Sequence, residues 1–398
     1  MKKIALLHFA TFSILYASQP SDIIKDMQIF KEKQLQNIAA IHKENSEIVK
    51  QNRIYYIKVA KAATEYYKKY ISKKWGDTKL SNISTFVQYN DDMNARQSVD
   101  FKKGVVTLEV ISDTNNSVNT DYFEKERDKL SHETLSQATT KDPVASLESK
   151  FMKKKSITSH YQKHDNSKFL DGYLENKKIK QGDIKQKKVT LKDGDVKFIY
   201  FVDVKMVPEH LKKRALKFKP FVLEKSREYG IEPSSIFATI ETESYFNPLA
   251  RSNIPAYGLM QIVPTTAGID AYYALTKKKK LLPPAYLYNA HNNIELGAKY
   301  MQIIRYNYLK GIRNPLSRLY CSATAYNAGI GSLFRVFANS KFAKEDAIKK
   351  INSMTPDEVY ARLRTSKRLT LEAREYVKHI KTRSENYKIW DKEIEGHL

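Results

Sequence analysis

The chain has 398 residues, 41% hydrophobic and 28% charged, with a net charge of +25. That length is too great for one small core and predicts about two domains, and the balance fits a folded soluble protein. The single cysteine, Cys321, excludes an intrachain disulfide, and the positive excess biases partners toward anions: nucleic acid, an anionic membrane surface or an acidic polymer such as a cell wall.

In chain order, Met1-Lys2-Lys3 is a positive start, and residues 4–17 (IALLHFATFSILYA) form a short apolar run interrupted by His8, Thr11 and Ser13. Ala17 then precedes Ser18 and Gln19. This pattern reads as a secretory signal peptide over residues 1–17, because the run is shorter than the roughly 20 residues of a spanning helix. From Ser18 to Gly76, apolar and aromatic residues recur at helical spacing, with no proline after Pro20 and Gly76 as the stop. Between 85 and 111 the period changes: FVQY, SVDF and VVTLEVI alternate, with a break at Lys103-Gly104, and predict strands. A Ser/Thr/Asn- and Lys-rich middle predicts helices around 121–136 and 145–154. Residues 188–206 are two alternating runs joined at Asp193-Gly194, the strongest hairpin signal in the chain.

After residue 206 strand signals almost vanish. PEHLKKRALKFKPFVLEKSREYG reads as a helix stopped by Gly230, and Glu232-Pro233-Ser234-Ser235 opens the next. The expected class is α+β: a mixed N-terminal domain over residues 18–205 and an all-helical domain over 206–398.

The helix opened near Ser234 carries Ile236, Thr239, Ile240 and Glu243 at i, i+3, i+4 and i+7, so they share one face. Glu241 lies about 200° round from Glu243 and points away. A carboxyl beside an apolar wall is desolvated, which favours its neutral form and suits a general acid near neutral pH. The plainer reading is that Glu243 caps local backbone. Asn247-Pro248 is expected to end this helix. The chain then returns through Ser252 and Pro255 to Gly258-Leu259-Met260-Gln261, where glycine admits a close approach, Gln261 offers a donor and an acceptor, and the residues alone read Met260 most plainly as core filling. Tyr326-Asn327-Ala328-Gly329 follows an apolar and small-residue stretch and reads either as a tight helix end that presents Tyr326 at a cleft or as a helix C-cap with a core tyrosine.

Taken together, Glu-Ser (243–244), Asn-Pro (247–248), Gly-Leu-Met-Gln (258–261) and Ala-Tyr-Asn-Ala-Gly (325–329) resemble the lysozyme-like domain of the lytic transglycosylases. INSMTPDEVYARL and EAREYVKHI resemble the tail of the membrane-bound lytic murein transglycosylase C group. The KKWG helix end, FVQYNDD and SVDFKKGVVTLEVI resemble that group's N-terminal domain. The resemblance implies Glu243 as the catalytic acid/base, Ser252 near the catalytic site, Met260 and Gln261 lining the sugar groove, Tyr326 holding acid and substrate, and Asn327 as a further substrate contact. It implies peptidoglycan glycan strands as substrate, cleaved between N-acetylmuramic acid and N-acetylglucosamine with a 1,6-anhydro end, and no cofactor and no metal. It also implies a periplasmic setting with possible outer-membrane or cell-wall association. The lipobox cysteine of many members is missing, which leaves lipid anchoring without its residue.

Glycosidases commonly use two carboxylates. Asp270 and Glu295 lie in the same region, but no local spacing aims them at the motif. Glu295 reads as opening the helix ELGAKYMQII, where its charge suits the dipole. A goose-type lysozyme, with the same acid and water as nucleophile, and a non-catalytic peptidoglycan-binding protein stand as alternatives. The export signal and the lack of a nucleic-acid motif argue for no nucleic acid partner.

Overall fold

The structure, a computed structural model, describes residues 51, 54–153, 166–170 and 172–394. The expected signal peptide and the first part of the long N-terminal helix lie outside the described residues. Helix α1 covers residues 54–75 and stops at Gly76, as its sequence predicts. Strands β1 (Thr85–Tyr89), β2 (Ala95–Asp100) and β3 (Val105–Ser112) follow. Next come helices α2 (Thr120–His132), α3 (Leu135–Lys141) and α4 (Pro143–Lys153), and then the hairpin β4 (Lys185–Thr190) and β5 (Val196–Lys205). The sheet runs β1-β2-β3-β5-β4 and every pairing is antiparallel.

Local chemistry accounts for the turns. The Asn90 Oδ1 accepts from the Asn94 and Ala95 amides at 2.9 Å each, closing the β1–β2 turn. The Asp100 carboxylate does the same for Lys102 and Lys103 between β2 and β3. The helix expected over 121–136 is two helices. Thr134 and Gln137 form a reciprocal capping box that starts α3 and interrupts the run.

Trp75 and Ile71 of α1 pack on Val87, Tyr89 and Ile199, which forms the core on one face of the sheet. Beside it, Arg96 is buried over the Trp75 ring and binds Glu109 at 2.7 Å and Asp77 at 2.8 Å.

Beyond residue 206 the described residues are helical: α5 (His210–Tyr229), α6 (Pro233–Ser244), α7 (Ala267–Thr276), α8 (Pro284–Leu287), α9 (Ala290–Gln302), α10 (Pro315–Ala328), α11 (Ile330–Ala338), α12 (Lys344–Asn352), α13 (Pro356–Thr365) and α14 (Leu371–Tyr387). A π-turn over Ile303–Tyr308 continues α9, and Glu295 falls inside α9, not at its start. There Glu295 pairs with Lys225 at 3.1 Å. Cys321 is buried in the core of this part among Leu333, Val336 and Val377. The described residues from Tyr55 onward belong to one compact unit. Arg214 of α5 helps join sheet to helices: buried, it donates to the Phe101 carbonyl at 2.8 Å.

Candidate active site

Helix α6 sets the site. Pro233 stands in its first turn, and its start is capped from far along the chain: Asp391 accepts from the Ser234 amide and hydroxyl at 2.8 Å each. The helix is buried on nearly all sides, packed against α14 and α5. It ends at Ser244, three residues before the expected Asn247-Pro248 stop. Tyr245 and Phe246 both take left-handed backbone, with φ of 51° and 60°. Two consecutive non-glycine residues in that region carry strain, which the buried Phe246 ring and the Asn247 turn hold in place. The chain is thereby swung away directly after Glu243.

The two glutamates of α6 do lie on different faces, but Glu241 does not reach solvent. It is buried, with Arg383 at 2.9 Å on one oxygen and the Tyr387 hydroxyl donating at 2.6 Å to the other. Helical phase separates the two faces; the last helix, α14, covers the second one.

Glu243 is half-buried and has no such cation among the described residues. Burial pushes its carboxyl from the ordinary 4.5 up to about 8; the Tyr376 phenol pulls the other way and the Glu372 carboxylate adds to the rise. At neutral pH the group is therefore a neutral acid. Tyr376 comes from α14, and its buried hydroxyl makes no well-formed hydrogen bond among the described residues, so it stays available to the carboxylate form of Glu243. Burial raises the phenols of Tyr326 and Tyr376 far above their usual range, and the nearby Glu243 raises both further.

The other expected site residues fall into two groups. Tyr326, at the end of α10, donates to the Met260 carbonyl at 2.8 Å and packs on Tyr300, ring centres 5.6 Å apart. The Ser244 hydroxyl donates to the Leu259 carbonyl at 2.8 Å. These bonds seat the Gly-Leu-Met-Gln turn against the end of α6 and explain why Glu is followed by Ser. Asn293 of α9 completes the seat, accepting from the Met260 amide at 2.7 Å and donating to the Tyr257 carbonyl at 2.8 Å. Gly258 has φ +77°, and a Cβ there would come within 2.4 Å of both the Leu287 carbonyl and the Asn293 side chain. No other residue fits.

Met260 is corrected in its role. Its side chain is fully buried, folded onto Gly297, whose missing Cβ makes the room. It offers backbone to the site and no side chain to a groove. Gln261 is buried with φ 47°, and its amide nitrogen donates to the Ala250 and Gly258 carbonyls at 3.1 and 3.0 Å. Its Oε1 is buried, with no hydrogen-bond partner among the described residues. Ser252 is half-buried, but its hydroxyl is engaged within its own turn, donating to the Ile254 carbonyl and accepting from the Ala256 amide. Asn327 is half-buried with no side-chain hydrogen bond among the described residues. Asp270 is exposed on α7, where its charge reaches Tyr300. Among the described residues no cluster of three or more His, Cys, Asp or Glu is arranged to hold a metal.

Sequence reasoning missed Tyr376, Asn293 and the cap from Asp391. Tyr376 had a signal: it shares a face with Ala373 and Ile380 in the run EAREYVKHI.

The transglycosylase SLT domain matches residues 220–349, and the N-terminal domain of membrane-bound lytic murein transglycosylase C matches residues 40–121. The membrane-bound lytic murein transglycosylase C of Pectobacterium atrosepticum is 31% identical over 367 residues, covering 87% of this chain and 93% of that protein. Its counterpart in Serratia proteamaculans is 33% identical over 333 residues, covering 80% and 87%. Among solved structures, the 70 kDa soluble lytic transglycosylase of Escherichia coli aligns with 45% of this chain and 25% of its own, at 23% identity and a TM-score of 0.34. The extent and identity of the curated matches place this chain in the membrane-bound lytic murein transglycosylase C family.

Proposed function

We propose that this chain cleaves peptidoglycan as a lytic transglycosylase with Glu243 as its one acid and base. The observation that carries the assignment is a carboxyl held neutral to about pH 8 by burial, with no cation paired to it among the described residues, at the end of the helix that meets the Gly-Leu-Met-Gln turn. Protonated Glu243 gives its proton to the glycosidic oxygen between N-acetylmuramic acid and N-acetylglucosamine, and the C1–O bond breaks. The substrate's N-acetyl oxygen shares the positive charge at C1. The muramic C6 hydroxyl then bonds to C1 and returns a proton to the Glu243 carboxylate. The products are a 1,6-anhydromuramic end and a free N-acetylglucosamine hydroxyl, with no water consumed. The Tyr376 hydroxyl stands ready to donate to Glu243 while it is charged. The nucleophile is tethered to its own ring, so orientation supplies much of the rate. Gln261, Tyr326, Ser252, Asn327 and the Met260 backbone form the substrate side of the site in this reading.

Residues 206–398 are the catalytic domain and 18–205 a second domain that follows a signal peptide. The enzyme works in the periplasm, with peripheral association to the outer membrane or the wall. The +25 charge supports retention near the carboxylates of peptidoglycan. Among the described residues no helix is long and apolar enough to cross a membrane. Digestion of purified sacculi followed by mass spectrometry of the ends tests the reaction. Anhydro ends from the native chain, and far fewer from Glu243→Gln, are expected; reducing ends would make the enzyme a hydrolase.

A further inference from the structure

One buried ion pair links the first half of the chain to the wall of this site. Glu148 of α4 is fully buried. Its Oε1 accepts from Arg251 Nη2 at 2.7 Å, and its Oε2 from the Tyr257 hydroxyl at 3.2 Å. Arg251 and Tyr257 form a backbone bridge, and Tyr257 forms a second with Ile262. The second bridge brackets the Gly-Leu-Met-Gln turn and the first closes the loop that leads into it. Two further contacts hold the same end. Tyr56 of α1 lies edge-on to Tyr257, ring centres 6.3 Å apart, and the Asn82 carbonyl accepts from the Arg251 amide at 3.4 Å. At its inner end the turn is fastened to the catalytic helix by Ser244 and to α10 by Tyr326. A continuous set of bonds thus runs from α4 to within one residue of Glu243.

A pair buried this deeply is a poor source of stability, since desolvating two ions offsets most of their attraction. What it supplies is direction: two donors fixed on one carboxylate. We propose that Glu148, Arg251 and Tyr257 are positioning residues for the transglycosylase reaction, and that through them the N-terminal region sets the height of the Gly-Leu-Met-Gln turn against Glu243. The proposal rests on Glu243 being the acid. None of the three touches the reacting atoms. Arg251 uses one side-chain nitrogen on Glu148, and its Nη1 is buried without a partner among the described residues. A lysine, with a single head group, therefore preserves the tie.

The test uses the full chain. In the double variant Glu148→Leu with Arg251→Met, an apolar pair replaces the ionic one, so the fall in melting temperature is expected to be limited to the loss of the Tyr257 hydroxyl's acceptor. A displaced turn lowers kcat by about tenfold to a hundredfold, with KM little changed. Arg251→Lys retains kcat. Rates are read as anhydro-muropeptide release from sacculi at several temperatures, beside circular-dichroism melts. Unchanged kcat in the double variant overturns the proposal. So does a rise in KM alone, or a loss that follows the unfolded fraction across temperature. Glu243→Gln, assayed alongside, separates the two claims: if it stays active, the acid is misassigned; if it is inactive while the double variant is at full rate, only the positioning role fails.

Discussion

In the N-terminal sheet a buried carboxylate is answered by cations: Glu109 has Arg96 and Lys79, each at 2.7 Å. In the helical half, the far side of α6 follows the same rule, with Arg383 and Tyr387 closing on Glu241. The near side departs from it. Glu243, two residues on, has two phenols, a neighbouring carboxylate and apolar wall. Burying a charge without a partner is costly, so the group keeps its proton instead. The difference between the two faces of one helix is what separates a structural acid from a chemical one.

Equal substitutions on the two faces break that comparison if it is wrong. Glu243→Gln should lower the rate of anhydro-end formation by about 10²–10⁴-fold, the usual reach of general acid–base catalysis. Glu241→Gln should keep its rate per folded molecule and lose roughly 1–3 kcal/mol in a denaturant melt, because Arg383 is left buried with a weaker acceptor. Equal rate losses in both variants would erase the distinction.

Arg96→Met extends the comparison to the sheet. It strips Glu109 of its main partner in a buried site, and unfolding stability should fall by roughly 3–5 kcal/mol. Turnover by the folded fraction should stay as it was; a rate loss beyond unfolding would mean that the sheet's charges reach the site. Tyr326→Phe is milder. It removes one hydrogen bond to the Met260 carbonyl, at about 1 kcal/mol, and leaves that carbonyl unpartnered beside the acid. A fall in kcat accompanying the stability loss is expected from a denaturant melt paired with a rate assay.

Much of this contrast was legible in the sequence. Helical phase separates Glu243 from Glu241, and alternation with Asp193-Gly194 marks the β4–β5 hairpin. Legibility ends where partners are distant in the chain. Arg383 and Tyr387 lie more than 140 residues from Glu241, and Asp391 caps a helix that begins at Pro233. Nothing in local spacing brings such groups together, so phase showed that Glu241 turns away but not that it turns into α14. Met260 failed for a related reason: its motif marks the turn, while Gly297, on another helix, decides that the thioether goes inward. Glu148 and Arg251, 103 residues apart, are equally silent until folded.

The finest test concerns pH. With its carboxyl raised to about 8, Glu243 binds its proton more tightly folded than unfolded between the ordinary 4.5 and 8. The stability this contributes is present in full below the unfolded value and is lost as pH rises through the folded one. Activity follows the same limb: kcat/KM requires the acid protonated, so it should fall as pH rises through about 8, an inflection that belongs to the free enzyme. Tyr376 favours the charged carboxylate. Tyr376→Phe should therefore move the inflection upward and raise the fraction of neutral acid at pH 8, even as kcat drops because the conjugate base has lost its donor. Glu372→Gln acts with opposite sign, since a like charge is removed and the inflection moves down, by less at high salt. Phenol and carboxylate thus shift one limb in opposite directions. A limb that moves the same way in both variants, or in neither, would mean that the titrating group is not Glu243.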